Sequence, residues 1–156
     1  LLKGLPISVF DTVFKSIHLS QNAQECISIL QKNGILVGLV SGGFTPIVER
    51  LAESLGISYF SANQLEVRDD FLTGKLVGEI VTAQVKQATL ENWRKELELP
   101  KERTIAIGDG ANDLLMLKSA GHGIAFCAKE FVKVEIACHV DTRDLLEVLP
   151  LIDFLE

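Results

Sequence analysis

Thr104-Ile105-Ala106-Ile107-Gly108-Asp109-Gly110-Ala111-Asn112-Asp113 opens as a short β-branched, apolar run and ends in a glycine-rich loop with two carboxylates four positions apart. The run has the pattern of a strand buried on both faces. It would deliver Asp109 and Asp113 to a loop at a helix N-terminus. The glycines on either side of Asp109 leave room for close backbone approach to a ligand. Mg²⁺ prefers one or two protein carboxylates, with substrate phosphate oxygens and waters completing an octahedron. Helix N-terminal amides favour an anion in the same place. Gly-Asp-Gly alone would read as a turn with a helix cap; the six-residue string after a β run points to metal and phosphate chemistry.

Outward from this stretch, apolar runs alternate with helical patterns. Ile35 to Val40 is a second buried strand, broken by Ser41-Gly42-Gly43. Thr45 and Pro46 read as cap and first-turn proline of a helix ending at Gly56. Upstream, Leu5, Val9, Phe10, Val13, Phe14 and Ile17 recur at helical spacing behind Pro6, and Asn22 can cap a helix running to about Asn33, with Gly34 as its stop. Ser58 to Ala62 is a short strand, and Leu65 to Val77 a hairpin excursion. Ala83 to Leu97 is a longer helix, with Lys86 near its start, and Asn112 to Ser119 a shorter one. Gly123–Phe126 and Ala137–Val140 read as strands, and Asp144–Leu155 as a closing helix. Buried strands alternating with helices give an α/β fold with a mainly parallel sheet, whose ligands sit beyond the carboxyl ends of the strands. Two loops stand out there, Ser41-Gly42-Gly43 and Gly108 to Asp113. A hydroxyl and unobstructed amides at a strand end can hold phosphate oxygens. Lys86 taken alone reads as a solvated lysine, and becomes a phosphate-neutralising group only if its helix is aimed at the same strand ends.

Composition narrows the class. Of 156 residues, 47% are hydrophobic and 23% charged, which suits one globular domain, with or without a small appendage. Fifteen basic against 21 acidic residues, a net charge of −6, argue against nucleic-acid and anionic-membrane partners. No segment approaches the roughly 20 apolar residues of a membrane span, and no signal peptide is visible. Cys26, Cys127 and Cys138 form no CxxC and no even framework, so a reducing, cytoplasmic setting is expected. His122, Cys127, Cys138 and His139 lack zinc-site spacing and read as core residues and loop histidines. No dinucleotide loop, GxxxxGK[ST] or G-x-S-x-G elbow occurs.

Leu39-Val40-Ser41-Gly42-Gly43-Phe44-Thr45, Ala62-Asn63-Gln64-Leu65-Glu66, Leu72-Thr73-Gly74, Lys86, Ile105 to Leu114, and Gly123 to Lys129 together resemble the phosphoserine phosphatase branch of the haloacid-dehalogenase-like superfamily over essentially the whole chain. The resemblance implies a three-layer Rossmann-like parallel sheet, with a remnant of a helical cap over residues 1–20 and the core over 21–156. It implies a Mg²⁺-dependent phosphatase that hydrolyses the phosphomonoester O-phospho-L-serine through a phosphoaspartate, the final step of serine biosynthesis. On matched positions, Ser41, Gly42 and Gly43 would contact phosphate and Lys86 would neutralise it. Asn112 would touch phosphate or substrate, Asp109 would ligate Mg²⁺, and Asp113 would order the metal's outer shell.

One departure stands out. The family's nucleophile and acid/base lie in an Asp-x-Asp motif, and no such pair occurs here: Asp11 is followed by Thr12 and Val13, and Asp141 and Asp144 are three apart. Met116 is the only methionine and the chain opens Leu1-Leu2-Lys3, so residues ahead of Leu1 are expected. In the family fold the nucleophile strand is central, between the strands at Ile35–Val40 and Thr104–Ile107. Without it those strands keep unpaired inner edges, at about 1–3 kcal/mol per orphaned buried group. The chain is therefore expected to need that segment, or another strand donor, and to be inactive alone. Two rival readings are a phosphatase or phosphotransferase of the same branch acting on another small phosphomonoester, and a non-catalytic Mg²⁺- or phosphate-binding module.

Overall fold

The computed structural model describes residues 2–152. In chain order the elements are α1 (Val9–Lys15), α2 (Ala23–Lys32), β1 (Gly38–Phe44), α3 (Thr45–Ser54), β2 (Tyr59–Arg68), β3 (Phe71–Val77), α4 (Ala83–Glu96), β4 (Ile105–Gly108), α5 (Leu114–Ser119), β5 (His122–Phe126), α6 (Glu130–Glu135) and β6 (His139–Val140). Short 3₁₀ helices cover Lys101–Arg103, Ala111–Asp113 and Leu145–Leu151. Two compact units result, one of Leu1–His18 with Leu36–Val81 and one of Leu19–Ile35 with Thr82–Glu156. The α/β class with parallel sheets is as the sequence implies. Among the described residues no helix is long and apolar enough to cross a membrane.

In the first unit the strand order is β1-β2-β3, with β1 and β2 parallel and β2 and β3 an antiparallel hairpin. Phe10, Leu65 and Leu72 form its apolar centre, with Ile7, Val9, Phe44 and Ile47 against them. In the second unit β4, β5 and β6 are all parallel, in register from Ile105 opposite His122 to Phe126 opposite Val140. Ala106, Met116, Leu117, Ala125, Val132 and Ile136 are among the residues of its core. Alanine and glycine at the helix–strand contacts allow close layers: a Cβ on Gly123 would collide with the Leu117 carbonyl oxygen. Hydrogen-bonded ladders join β1 to β2 within the first unit and β4 to β5 within the second.

Several expectations are corrected in detail. The strand expected at Ile35–Val40 begins at Gly38 and continues through Ser41-Gly42-Gly43 to Phe44. Ile35 is still engaged in closing α2: Gly34 has φ +75°, its N–H donates to Gln31 and that of Ile35 to Leu30, a Schellman end. Ser41-Gly42-Gly43 does not stop the strand, because pairing with β2 resumes at Phe44 opposite Asn63 after a shift of register. Nor is β1 buried on both faces; its residues are half-buried or exposed. Thr45 is not the cap of α3: it is the first helical residue, and its hydroxyl donates to the carbonyl of Asn63. Asn22 precedes α2 in the left-handed conformation, φ +57°, and its side chain donates to Asp144 instead of capping. The helix expected over Asn112–Ser119 is a 3₁₀ turn followed by α5. The closing helix is 3₁₀ over Leu145–Leu151 with Pro150 inside it, and the part expected beyond Ile152 lies outside the described residues.

Candidate functional site

The loop leaving β4 is held by one side chain. Asp113 is buried, and its Oδ2 accepts from the backbone N–H groups of both Asp109 and Gly110, at 3.1 Å each. Its Oδ1 lies 2.7 Å from Lys86 Nζ. Lys86 is itself only 6% exposed, on the second turn of α4, whose start is capped by Thr82 accepting from the N–H of Val85. A buried ammonium persists when it is paired and hydrogen-bonded. Thus α4, packed on α5, carries a cation to the end of β4. An ammonium has three protons, and Asp113 takes one.

The glycines of this loop are set by space. A Cβ on Gly108 would fall 2.5 Å from the Asp113 Cβ, and one on Gly110 2.6 Å from Asn112 Oδ1. Asp109 and Asn112 are exposed at the rim. The loop after β5 closes against Asp109, with the N–H of Lys129 donating to the Asp109 carbonyl at 3.3 Å. The structure therefore gathers Lys86, Asp109, Asn112 and Asp113 at the end of β4, within the second unit.

Ser41, Gly42 and Gly43 belong to the first unit. The N–H of Gly43 donates to Ser41 Oγ at 2.9 Å. The Gly42 carbonyl accepts from Asn63 Nδ2 at 2.8 Å, and Asn63 Oδ1 accepts from the N–H of Val81 at 2.8 Å. Asn63 is 6% exposed. Sequence reasoning passed over it as one residue of a resembling string; a polar residue within a β run was the available signal.

The other aspartates considered for chemistry are engaged in ion pairs or caps. Asp11 Oδ1 lies 2.6 Å from Arg50 Nη2. Asp141 Oδ1 lies 2.6 Å from Lys133 Nζ. Asp144 accepts from Asn22 and from the N–H of Leu146.

The donor set at the end of β4 fits Mg²⁺ in a limited way. Both Asp113 oxygens are taken by Lys86 and by the loop amides, which leaves Asp109 as the carboxylate free to ligate directly. Among the described residues no three His, Cys, Asp or Glu side chains converge as a metal cage. One carboxylate, with the remaining positions filled by phosphate oxygens and water, is a coordination habit of Mg²⁺.

The chain matches the haloacid dehalogenase-like hydrolase family over residues 1–118. It is 52% identical over 152 residues to a phosphoserine phosphatase of Streptococcus thermophilus, covering 97% of this chain and 71% of that protein. It is 48% identical over 155 residues to a phosphoserine phosphatase of Lactococcus lactis, covering 99% of this chain and 72% of that protein. A solved structure of a phospho-aspartyl intermediate analogue of phosphoserine phosphatase superposes with a TM-score of 0.91 at 41% identity, over 97% of this chain and 73% of that one. A matched family over three-quarters of the length, and relatives near half identical, agree with the glycine-flanked carboxylates and the buried lysine: the chain belongs to the haloacid dehalogenase-like hydrolases.

Proposed function

We propose that this chain provides the phosphate- and metal-binding part of a cytoplasmic, Mg²⁺-dependent phosphoserine phosphatase that converts O-phospho-L-serine and water to L-serine and phosphate. The observation that carries the reading is the buried Lys86–Asp113 pair, braced to the amides of Asp109 and Gly110. That arrangement fixes a cation and an outward carboxylate without conformational search, and pre-set charge is what a phosphoryl transition state rewards.

Lys86 would donate to a phosphoryl oxygen through the protons that Asp113 leaves free. Asn112 would donate its amide to substrate or phosphate, and Ser41 and Gly42 would hold phosphate oxygens. Asp109 would hold Mg²⁺, with Asp113 behind it; the ion supplies charge neutralisation of the phosphoryl group. No Asp-x-Asp pair occurs among the 156 residues, so the attacking carboxylate and the acid that protonates the leaving seryl oxygen come from elsewhere. The attack forms an O–P bond to that aspartate and breaks the P–O bond to serine, and water then breaks the acyl phosphate.

The test is phosphate release from O-phospho-L-serine and a panel of other phosphomonoesters, with Mg²⁺ present. The 156-residue chain alone is expected to be inactive, and to turn over phosphoserine in preference once joined to a segment bearing Asp-x-Asp. Asp109→Asn in the joined protein should weaken Mg²⁺ binding at least about tenfold. A normal burst from the isolated chain would overturn the covalent-aspartate account, and preference for another ester would overturn the substrate.

A further inference from the structure

We propose that Asn63 is a positioning residue that aims the Ser41 hydroxyl proton, acting through the rigid peptide unit between Gly42 and Gly43. The inference rests on the reading of Ser41 as a phosphate donor given above, and deepens it.

Asn63 lies in β2, yet both polar ends of its buried side chain are spent on distant backbone. Its Nδ2 donates to the carbonyl of Gly42, 21 residues away, at 2.8 Å. Its Oδ1 accepts from the N–H of Val81, 18 residues away, at 2.8 Å. These bonds also settle the orientation of the amide, since swapping O and N would set donor against donor and acceptor against acceptor.

The Gly42 carbonyl and the Gly43 N–H belong to one planar peptide and point in opposite directions. Fixing one fixes the other. The Gly43 N–H then meets Ser41 Oγ at 2.9 Å. A serine hydroxyl has one proton, so an Oγ that accepts from Gly43 keeps that proton for a different acceptor. The relay from Asn63 Nδ2 to Gly42 O, and from Gly43 N–H to Ser41 Oγ, thus leaves a directed donor for an oxyanion. Glycine at 42 and 43 would otherwise make this peptide the easiest in β1 to flip. The neighbouring Thr45 hydroxyl bonds the backbone carbonyl of Asn63, at 3.1 Å, and takes no part in the relay.

The experiment is a double-mutant cycle on inorganic phosphate affinity, followed at the Gly42 and Gly43 amides by NMR, with thermal melts alongside. Asn63→Ala and Ser41→Ala should each weaken phosphate binding by about tenfold, the worth of one well-placed hydrogen bond. Their combination should be no weaker than Ser41→Ala alone, because the two act as one unit. Thr45→Val should lower the melting temperature and leave phosphate affinity unchanged. Asn63→Asp supplies a second handle. Its carboxylate repels the Gly42 carbonyl, whereas its protonated form offers a donor to Gly42 and an acceptor to Val81, the two bonds that asparagine makes here. Its affinity relative to wild type should recover as pH is lowered from about 8 to about 5, burial having raised its titration. Additive losses, or an affinity that simply tracks the melting temperature across Asn63→Ala and Thr45→Val, would overturn the relay. Wild-type protein that binds no phosphate would instead remove the phosphate reading, and the relay with it.

Discussion

Lys86 Nζ and Asp113 Oδ1 are 2.7 Å apart, each side chain 8% exposed, so α4 is joined to the loop after β4 by a buried ion pair. Removing one partner of such a pair strands the other charge, at about 3–5 kcal/mol. Lys86→Met is therefore expected to lower the unfolding free energy by a few kcal/mol in urea titrations, with little change in m-value. Lys86→Met combined with Asp113→Asn should recover part of the loss, because the remaining amide is neutral and can still accept from Asp109 and Gly110. An equal loss in the single and double variants would show that packing of the lysine stem, and not charge, is what matters.

Gly108→Ala tests the same corner by volume. The added methyl would overlap the Asp113 side chain, 2.5 Å from its Cβ, and neither backbone nor ion pair can yield without breaking the loop bonds. Overpacking of this kind costs about 1–3 kcal/mol. A fall in melting temperature with weakened Mg²⁺ binding is expected, and an unchanged melt would mean that the loop relaxes freely.

Much of this corner was legible in the sequence, and the limits have physical causes. The β run before Gly108 and the helix after Asp113 follow from local pattern, and the glycine-flanked carboxylates from the spacing of residue types. The burial of Lys86 does not, because a lysine near a helix start looks solvated until the tertiary partner 27 residues away is known. Asn63 escaped for the same reason, its partners being 21 and 18 residues distant. Thr45 and Asn22 show the opposite error: both have good capping chemistry, and tertiary acceptors, the Asn63 carbonyl and Asp144, won over the local amides. The α6 helix was missed because its six residues are too few for a periodic signal.

Cys26 offers a measure of how firmly α2 is packed. It has no exposed surface, and burial first, then the nearby Asp144 charge, pushes its thiol above the ordinary range. Thiolate is the reactive form, so both effects suppress alkylation. Iodoacetamide should label the half-buried Cys127 and Cys138 in the native protein, and Cys26 only at the rate of unfolding. Native labelling of Cys26 at a comparable rate would place α2 among the locally opening segments.

Lys133 and Asp141, 2.6 Å apart near β6, predict a pH dependence at both extremes. The hydrogen bond from Lys133, with its charge and that of His139, holds the Asp141 carboxyl below the ordinary range. The same bond, with the charges of Asp141, Glu130 and Cys127, holds the Lys133 ammonium above its ordinary range. For Asp141, whose folded value is lowered, the contribution to stability is complete above the unfolded carboxyl value of about 3.9, and disappears as pH falls through the lower folded one. For Lys133, whose folded value is raised, it is complete below about 10.4, and disappears as pH rises through the higher folded one. The difference in melting temperature between wild type and Lys133→Met should therefore be level from about pH 5 to about pH 9 and shrink beyond either end. High salt should narrow it throughout, since the Asp141 partner is exposed and exposed pairs are screened. A gap that ignores both pH and salt would assign the effect of Lys133 to its methylene stem.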